Sequence, residues 1–397
     1  MAQFEISGLK LAATAAAIKK NGKPDLSLYT WNEDSQVAAV FTQNAFCAAP
    51  VIVSRRHLQK SPRALLINAG NANAGTGTRG IQDAEFCCAL VASQLGCEAE
   101  QVLLCSTGVI GEYLPVQKIQ SAMPGLAQSL QQTQWPEAAR AIMTTDTQPK
   151  FQQRELQLSA HRCSIGGIAK GAGMIRPNMA TLLSFIATDV NIAQAPLQQA
   201  LRHAADQSFN RITVDGDTST NDTCIAVATA HAGNSLIDSV DHPDFNAFQN
   251  ALSELCQALA KDLVRDGEGA TKLVNVMVEE AADAQEALRV AEAVAHSPLV
   301  KTALFAADPN WGRILAAVGR AGIENFNINT VRIFLDQVLI ADNGARAESY
   351  QEADAQTVMD RAEFDIRICL GRGTARHNLW TCDFSYDYVK INAEYRT

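Results

Sequence analysis

Short apolar runs typical of strands alternate with amphipathic helical segments along the whole chain. The clearest helix is predicted over residues 243–264, where apolar side chains recur at three- and four-residue steps. Helices are also predicted over 81–96, with Phe86, Leu90 and Val91 on the apolar face, and from Pro196 onward. Strands are predicted over 36–42, 64–68, 222–230, 271–278, 331–340, 363–370 and 379–391. This mixture predicts an α/β fold in layers, with helices packed on β-sheets.

Composition narrows the class of protein. The chain has 397 residues, 47% of them hydrophobic and 19% charged, which is typical of a globular interior, and its length predicts two to three domains or one large α/β unit. A net charge of −9 argues against nucleic acid as a general partner. Ten Cys without a CxxC pair predict reduced, mostly buried thiols. We found no signal peptide and no apolar run of ~18–20 residues, so a soluble, cytoplasmic protein is expected.

The segment from Lys170 to Phe185, KGAGMIRPNMATLLSF, contains a candidate nucleophile. Small residues around Thr181 allow a tight bend in which the Thr181 hydroxyl attacks the carbonyl of Ala180. The resulting ester would hydrolyse and leave Thr181 as a new N-terminus, whose α-amine can act as the base for its own hydroxyl. The competing interpretation is a Gly-rich loop that leads into a buried strand.

Three further motifs are better explained by tight loops than by a ligand. GTGTRG, residues 75–80, matches GxGxxG but does not directly follow a strand and lacks the acidic residue expected about 20 positions later. NAGNAN, residues 68–73, has residues that tolerate left-handed backbone. DGDTSTND, residues 215–222, resembles the start of a calcium loop, but Thr220 replaces the Gly at position six and Ala226 the Glu at position twelve. No metal site is predicted.

Three further segments could contact a ligand, although plain turns and a frayed terminus are the competing interpretations. Thr107 and Gly108 follow an apolar run, and a Thr-Gly turn at a strand end can form an oxyanion hole. Glu268 stands between two Gly just before a predicted strand, where backbone can approach a ligand closely. The C-terminal segment, with Asn392 and Thr397, ends on polar residues, although frayed termini are common.

Nine motifs in this order resemble the ornithine acetyltransferase family, also called glutamate N-acetyltransferase. They are AATAAAIKKNGKPDL, INAGNANAGTG, CSTGVIGE, MTTDTQPK, KGAGMIRPNMAT, DGDTSTND, DGEGATK, DPNWGR and INAEYRT, and they span almost the whole chain. Leu11-Ala12-Ala13 stands where many family members have a Gly-rich or Arg-containing stretch. The resemblance implies a self-cleaving enzyme of the N-terminal-nucleophile type, with helices outside paired sheets. It also implies an α2β2 assembly without metal or organic cofactor.

The resemblance assigns roles to individual residues. It implies cleavage between Ala180 and Thr181, giving an α chain of 1–180 and a β chain of 181–397. Thr181 would be the nucleophile, and Thr107 with Gly108 the oxyanion hole. The implied substrate-binding residues are Thr147, Lys170, Thr181, Glu268, Asn392 and Thr397, with Thr144 and Thr145 as alternatives to Thr147. Either Lys170, or Asn392 with Thr397, would bind the substrate carboxylate.

The implied activity is the transfer of an acetyl group from N-acetylornithine to glutamate in arginine biosynthesis. The transfer would proceed through an acetyl ester on Thr181, and the sequence leaves open whether acetyl-CoA is a second donor. Two other interpretations stay open on the residues alone. One is a self-cleaving aminopeptidase or amidase, in which water resolves the acyl-enzyme. The other is an α/β binding protein in which Thr181 is never processed.

Overall fold

The computed structural model describes residues 4–176 and 182–394. The chain forms two compact units, which do not follow the chain boundary expected at residue 180. Unit 1 comprises Met1–Asn210 and Asp217–Leu263, and unit 2 comprises Arg211–Gly216 and Val264–Thr397. None of the helices in the described part of the chain is long and apolar enough to span a membrane.

Unit 1 contains two β-sheets. Its strands are β1 (Leu9–Thr14), β2 (Leu26–Trp31), β3 (Gln36–Phe41), β4 (Ala64–Asn71), β5 (Val102–Val109), β6 (Lys150–Leu158), β7 (His161–Lys170), β8 (Leu183–Thr188) and β10 (Thr223–Ala228). The short strand β9 (Ile212–Thr213) belongs to unit 2. The four-stranded sheet has the order β1-β2-β4-β5, and β4 and β5 are parallel. The five-stranded sheet has the order β3-β10-β8-β7-β6, in which only β8 and β10 run parallel.

The two sheets of unit 1 face each other across one hydrophobic core. Alternate residues of the four-stranded sheet, such as Tyr29 and Leu65, pack against alternate residues of the five-stranded sheet, such as Ile168 and Phe185. The Tyr29 and Phe185 rings lie 4.5 Å apart between their centroids. Because side chains alternate between the faces of a strand, every second residue of β5 and β7 points into this space.

Helices cover the outer faces of both sheets. They are α1 (Ala49–His57), α2 (Gly77–Leu95), α3 (Val116–Gln128), α4 (Trp135–Ala141), α5 (Gln194–Asp206) and α6 (Phe245–Arg265). A second core joins α1, α2 and α3 to the four-stranded sheet. On the other side, Gln198 of α5 exchanges hydrogen bonds with the backbone of Ala39, and Leu255 and Leu259 of α6 lie against Gly167. The predicted layering of helices on paired sheets is therefore confirmed.

Unit 2 is a seven-stranded mixed sheet with helices on one face. Its further elements are β11 (Leu273–Ala281), α7 (Ala284–Ala295), α8 (Pro298–Phe305), α9 (Trp311–Gly319), β12 (Arg332–Leu335), β13 (Val338–Asp342), β14 (Ala345–Arg346), α10 (Glu352–Met359), β15 (Glu363–Cys369), β16 (Ala375–Cys382) and α11 (Tyr386–Glu394). The strand order is β14-β13-β12-β15-β11-β16-β9. Val274, Val276 and Val278 of β11 pack with α7 in the core of this unit.

Most predicted elements are confirmed, and four expectations are wrong. Phe86 is 41% exposed, because α2 buries Ala84 and Cys87 along with the predicted Val91. Residues 331–340 form the hairpin of β12 and β13, not one strand. Residues 379–391 include the end of β16 and most of α11, not one strand. Thr107 and Gly108 lie within β5 and not in a turn after it. The expectation of mostly buried thiols is confirmed.

Candidate active site

Thr107 and Lys170 meet between the two sheets of unit 1. Thr107 continues the alternation of Leu103 and Cys105 on β5, and Lys170 that of Ile168 on β7, so both side chains extend from the inner faces of opposite sheets. Lys170 Nζ donates a hydrogen bond of 2.9 Å to Thr107 Oγ1, and both residues are buried. An ammonium group can only donate, so the Thr107 hydroxyl keeps its own proton for another acceptor. The ammonium polarises that hydroxyl and makes it a stronger donor.

Gly108 of β5 lies directly against the backbone of β4. Its φ is +133°, and an added Cβ would lie 2.7 Å from Gly70 Cα and 2.6 Å from Asn71 N. Both contacts are to backbone, so no side-chain movement could relieve them. Only Gly fits here, which explains the Thr-Gly pair. The Gly108 backbone is thereby held beside the Thr107 hydroxyl, as an oxyanion hole requires.

Asparagine side chains hold the backbone around these two residues. Asn221, at the end of the 215–222 motif, donates from Nδ2 to Ser106 O at 2.9 Å and to Ala72 O at 2.7 Å. Asn68 Oδ1 accepts from Ser106 Oγ, and Asn71 Nδ2 donates to the carbonyls of residues 112 and 113. The motifs at residues 68–73 and 215–222 therefore both have structural roles beside β5.

Asp146 connects the segment before β6 to the end of β7. Its Oδ1 accepts from Lys150 Nζ at 2.6 Å and from the Gly171 N–H at 2.8 Å, and its Oδ2 accepts from the Thr144 N–H at 3.0 Å. Burial alone would raise the pKa of this carboxyl. The charges of Lys150 and Lys170, with the Gly171 N–H, outweigh burial and lower the Asp146 pKa to about 2. Asp146 is therefore ionised, and it fixes the loop that follows Lys170.

Asp222 behaves in the opposite way. Burial raises the Asp222 pKa well above its usual value, although a hydrogen bond with Ser219 and the charge of Lys170 lower it. Burial and the Lys170 charge therefore act in opposite directions on this carboxyl.

Glu268 and Asn392 form a second group, within unit 2. Asn392 Nδ2 donates to Glu268 Oε2 at 2.7 Å, and Glu268 is 8% exposed. Gly269 (φ +69°) allows the Glu268 loop to pack on the start of α11, because an added Cβ would lie 2.6 Å from Tyr388 N. Ser385 Oγ donates to Gly269 O at 2.6 Å and closes this contact. A buried carboxylate with an amide partner is suited to binding an ammonium group.

The remaining predicted site residues stay predictions. Thr147 is exposed, whereas Thr144 and Thr145 are half-buried. Ala180, Thr181 and Thr397 lie outside the described residues. Among residues 4–176 and 182–394, no cluster of three or more His, Cys, Asp and Glu is arranged to hold a metal ion.

Sequence reasoning missed Asp146 and Asn221, the two residues that hold the site's backbone. The available signal is their position inside the motifs MTTDTQPK and DGDTSTND, which otherwise suggest Thr147 as a substrate contact and the start of a calcium loop. Their partners stand 25 and 115 residues away along the chain, so no local pattern reveals the pairing.

Comparison with known proteins identifies the family. The ArgJ family pattern matches residues 10–397, nearly the whole chain. The chain belongs to the ArgJ family. An arginine biosynthesis bifunctional protein ArgJ of Methylococcus capsulatus is 54% identical over 99% of this chain and 96% of its own length. A protein of the same name from Pseudomonas fluorescens is 50% identical over 99% of this chain and 97% of its own length.

A solved ArgJ structure agrees with this result. The arginine biosynthesis bifunctional protein argJ of Bacillus halodurans is 42% identical, with a TM-score of 0.50. The match covers 98% of that chain and 53% of this one. The resemblance inferred from the nine sequence motifs is thus confirmed, together with the mixed α/β fold class.

Proposed function

We propose that this ArgJ chain transfers the acetyl group of N-acetylornithine to glutamate through an acetyl ester on Thr181. Family membership over residues 10–397 carries the activity, and the relatives named as bifunctional arginine-biosynthesis proteins support it. Membership of the ArgJ family confirms the predicted acetyltransferase activity. The roles of individual residues, the self-cleavage and the assembly are parts of the proposal.

In the proposed first half-reaction, the α-amine of Thr181 takes the hydroxyl proton while Thr181 Oγ attacks the acetyl carbonyl. The Thr107 hydroxyl and the Gly108 N–H stabilise the tetrahedral oxyanion, a contribution of about 3–4 kcal/mol per donor in comparable sites. The hydrogen bond from Lys170 to Thr107 supports this role, because it leaves the Thr107 proton directed to another acceptor. Ornithine then leaves with a proton, and the acetyl ester stays on Thr181.

In the second half-reaction, the amine of glutamate attacks the ester and gives N-acetylglutamate. Ornithine and glutamate both carry an α-carboxylate, so one set of cationic contacts can serve donor and acceptor. Lys170 is our choice for that carboxylate, and Glu268 for the δ-ammonium of ornithine, with Asn392 supporting Glu268. No metal or organic cofactor is required by these steps.

Self-cleavage between Ala180 and Thr181 produces the nucleophile in this proposal. The Bacillus halodurans chain supports it, because that chain is matched over 98% of its length but covers only 53% of this one. A chain of half length is what a cut near the middle of the sequence leaves. We further propose that the two products stay together as an α2β2 assembly, and that the enzyme acts in the cytoplasm.

The decisive experiment is the intact mass and activity of Thr181→Ala. We expect one uncut chain of 42.7 kDa and no acetyl transfer, whereas the wild type gives two chains. Thr181→Ser keeps a hydroxyl and should still cleave. Two chains from Thr181→Ala would refute the cleavage site. Release of acetate without glutamate-dependent product in the wild type would instead favour an amidase.

Thr107→Val tests the oxyanion role with a side chain of similar size. We expect kcat to fall by about 100-fold or more while KM for N-acetylornithine changes little, since the lost contact exists mainly in the transition state. An unchanged kcat would remove Thr107 from this role.

The relatives are named as bifunctional proteins, which supports a second acetyl donor besides N-acetylornithine. We propose that acetyl-CoA also acylates Thr181 and so supplies new acetyl groups for glutamate. Formation of N-acetylglutamate from glutamate and acetyl-CoA alone tests this, and its absence would restrict the enzyme to N-acetylornithine.

A further inference from the structure

Lys19 is a partly buried cation beside the oxyanion strand, in a motif to which neither the resemblance nor the mechanism gives a role. Its stem lies over Gly70, where an added Cβ would be 3.1 Å from Lys19 Cγ. Gly70 is the register partner of Gly108 across the β4–β5 pair. Lys19 is thus placed one strand away from the proposed oxyanion hole.

The hydrogen bonds of the Lys19 ammonium leave one proton for a further acceptor. Nζ donates to Pro24 O at 2.8 Å and to Ala141 O at 3.4 Å, which uses two of its three protons. Within the described residues, Lys19 makes no salt bridge of 4.0 Å or less. Asp25, the nearest acid in sequence, uses its carboxylate oxygens on the N–H groups of Ala16 and Lys19 itself.

The Lys19 ammonium is partly desolvated. Burial lowers the Lys19 pKa to about 8. The charges of Asp25 and Asp146 raise this pKa, and those of Lys170 and Lys23 lower it further. A cation that is desolvated without a direct ion pair is costly, and such groups concentrate at functional sites. Asp146, the acid shared by this region, already holds Lys150 in an ion pair.

We propose that Lys19 binds the α-carboxylate of the amino-acid substrate, together with Lys170. This assignment rests on the proposed acetyl transfer and extends it. The third proton of the Lys19 ammonium would be donated to a carboxylate oxygen, giving a charge-assisted hydrogen bond in a partly desolvated position. The same contact would serve N-acetylornithine and glutamate, because the α-carboxylate is common to both.

The test compares kcat/KM for N-acetylornithine with that for its α-carboxamide. In the wild type we expect a preference of roughly 10- to 100-fold for the carboxylate. Lys19→Met should reduce this preference at least several-fold, and Lys19→Arg should keep most of it. Lys20→Met is the matched control, since Lys20 is the exposed neighbour, and should leave the preference unchanged.

The pH dependence of the same ratio gives an independent reading. Lys19 loses its charge as pH rises through about 8, so the wild-type preference for carboxylate should fall there. Titration of the Thr181 amine affects both substrates and cancels in the ratio. Lys19→Met should show no such decrease between about pH 7 and 9.5.

Three outcomes would overturn the assignment. In the first, Lys19→Met weakens both substrates equally, which indicates a structural role. In the second, the preference persists in Lys19→Met and is lost only in Lys170→Met. The third is read without turnover, from calorimetric Kd values for ornithine and ornithinamide on the same proteins. Equal affinities on the wild type would overturn the carboxylate contact even if acetyl transfer itself were absent, so the two proposals fail separately.

Discussion

Replacing Gly108 with Ala should damage both the β4–β5 pair and turnover. The added Cβ would lie 2.7 Å from Gly70 Cα and 2.6 Å from Asn71 N, distances at which backbone atoms must move apart. The positive φ itself costs about 1–2 kcal/mol for an L-residue, and overpacking adds about 1–3 kcal/mol. Because β5 must shift away from β4, the Gly108 N–H leaves its position, and we expect kcat to fall about 100- to 1,000-fold.

Gly111→Ala is the control for this prediction. Gly111 also has positive φ, +86°, but an added Cβ there has nothing within 4 Å. It therefore carries the conformational cost without the steric overlap. Thermal unfolding and steady-state kinetics of both variants would separate the two effects. Equal Tm and equal kcat for the two variants would refute the close-approach argument. If Gly108→Ala does not fold while Gly111→Ala does, the predicted steric overlap between β4 and β5 is supported. The oxyanion role is then tested with Thr107→Val.

Three further predictions concern the residues around the site. The lowered Asp146 pKa contributes about 2 kcal/mol of stability above pH 4 that is lost as pH falls toward 2, and denaturant unfolding of Asp146→Asn should lack this loss. Asn221→Ala should lower the free energy of unfolding by about 2–3 kcal/mol, because the buried Ser106 carbonyl loses a donor; an unchanged denaturation midpoint would contradict this. Glu268→Gln should raise KM for N-acetylornithine more than KM for glutamate, which lacks the δ-ammonium, and equal effects would remove Glu268 from that contact.

The sequence predicted the long, strongly patterned elements and failed where tertiary contacts end a pattern. The helix expected over 243–264 is α6, Phe245–Arg265, because its apolar stripe is sustained over the whole length. The strand expected over 379–391 ends at Cys382 instead. Asp383 is buried and accepts from the N–H groups of Thr271 and Lys272, which turns the chain away from the sheet. The alternating aromatic residues beyond it form a helix, although locally they resemble a strand.

The candidate site shows the same limit in its chemistry. Local patterns singled out Thr107 and Gly108, and the collinear motifs added Lys170 and joined the three residues into one proposed mechanism. What the structure adds is their relation: Lys170 donates to Thr107 across 63 residues of sequence, from the opposite sheet.

This contact changes the role that Lys170 can play. A lysine that only bound the substrate carboxylate could be replaced by Arg with modest loss. A lysine that also polarises the oxyanion donor has to keep one hydrogen bond to Thr107 Oγ1 at 2.9 Å in a buried position, and the planar guanidinium of Arg has a different donor geometry. Lys170 then has fewer protons to donate to the substrate carboxylate, and a second cation such as Lys19 would supply the missing contact.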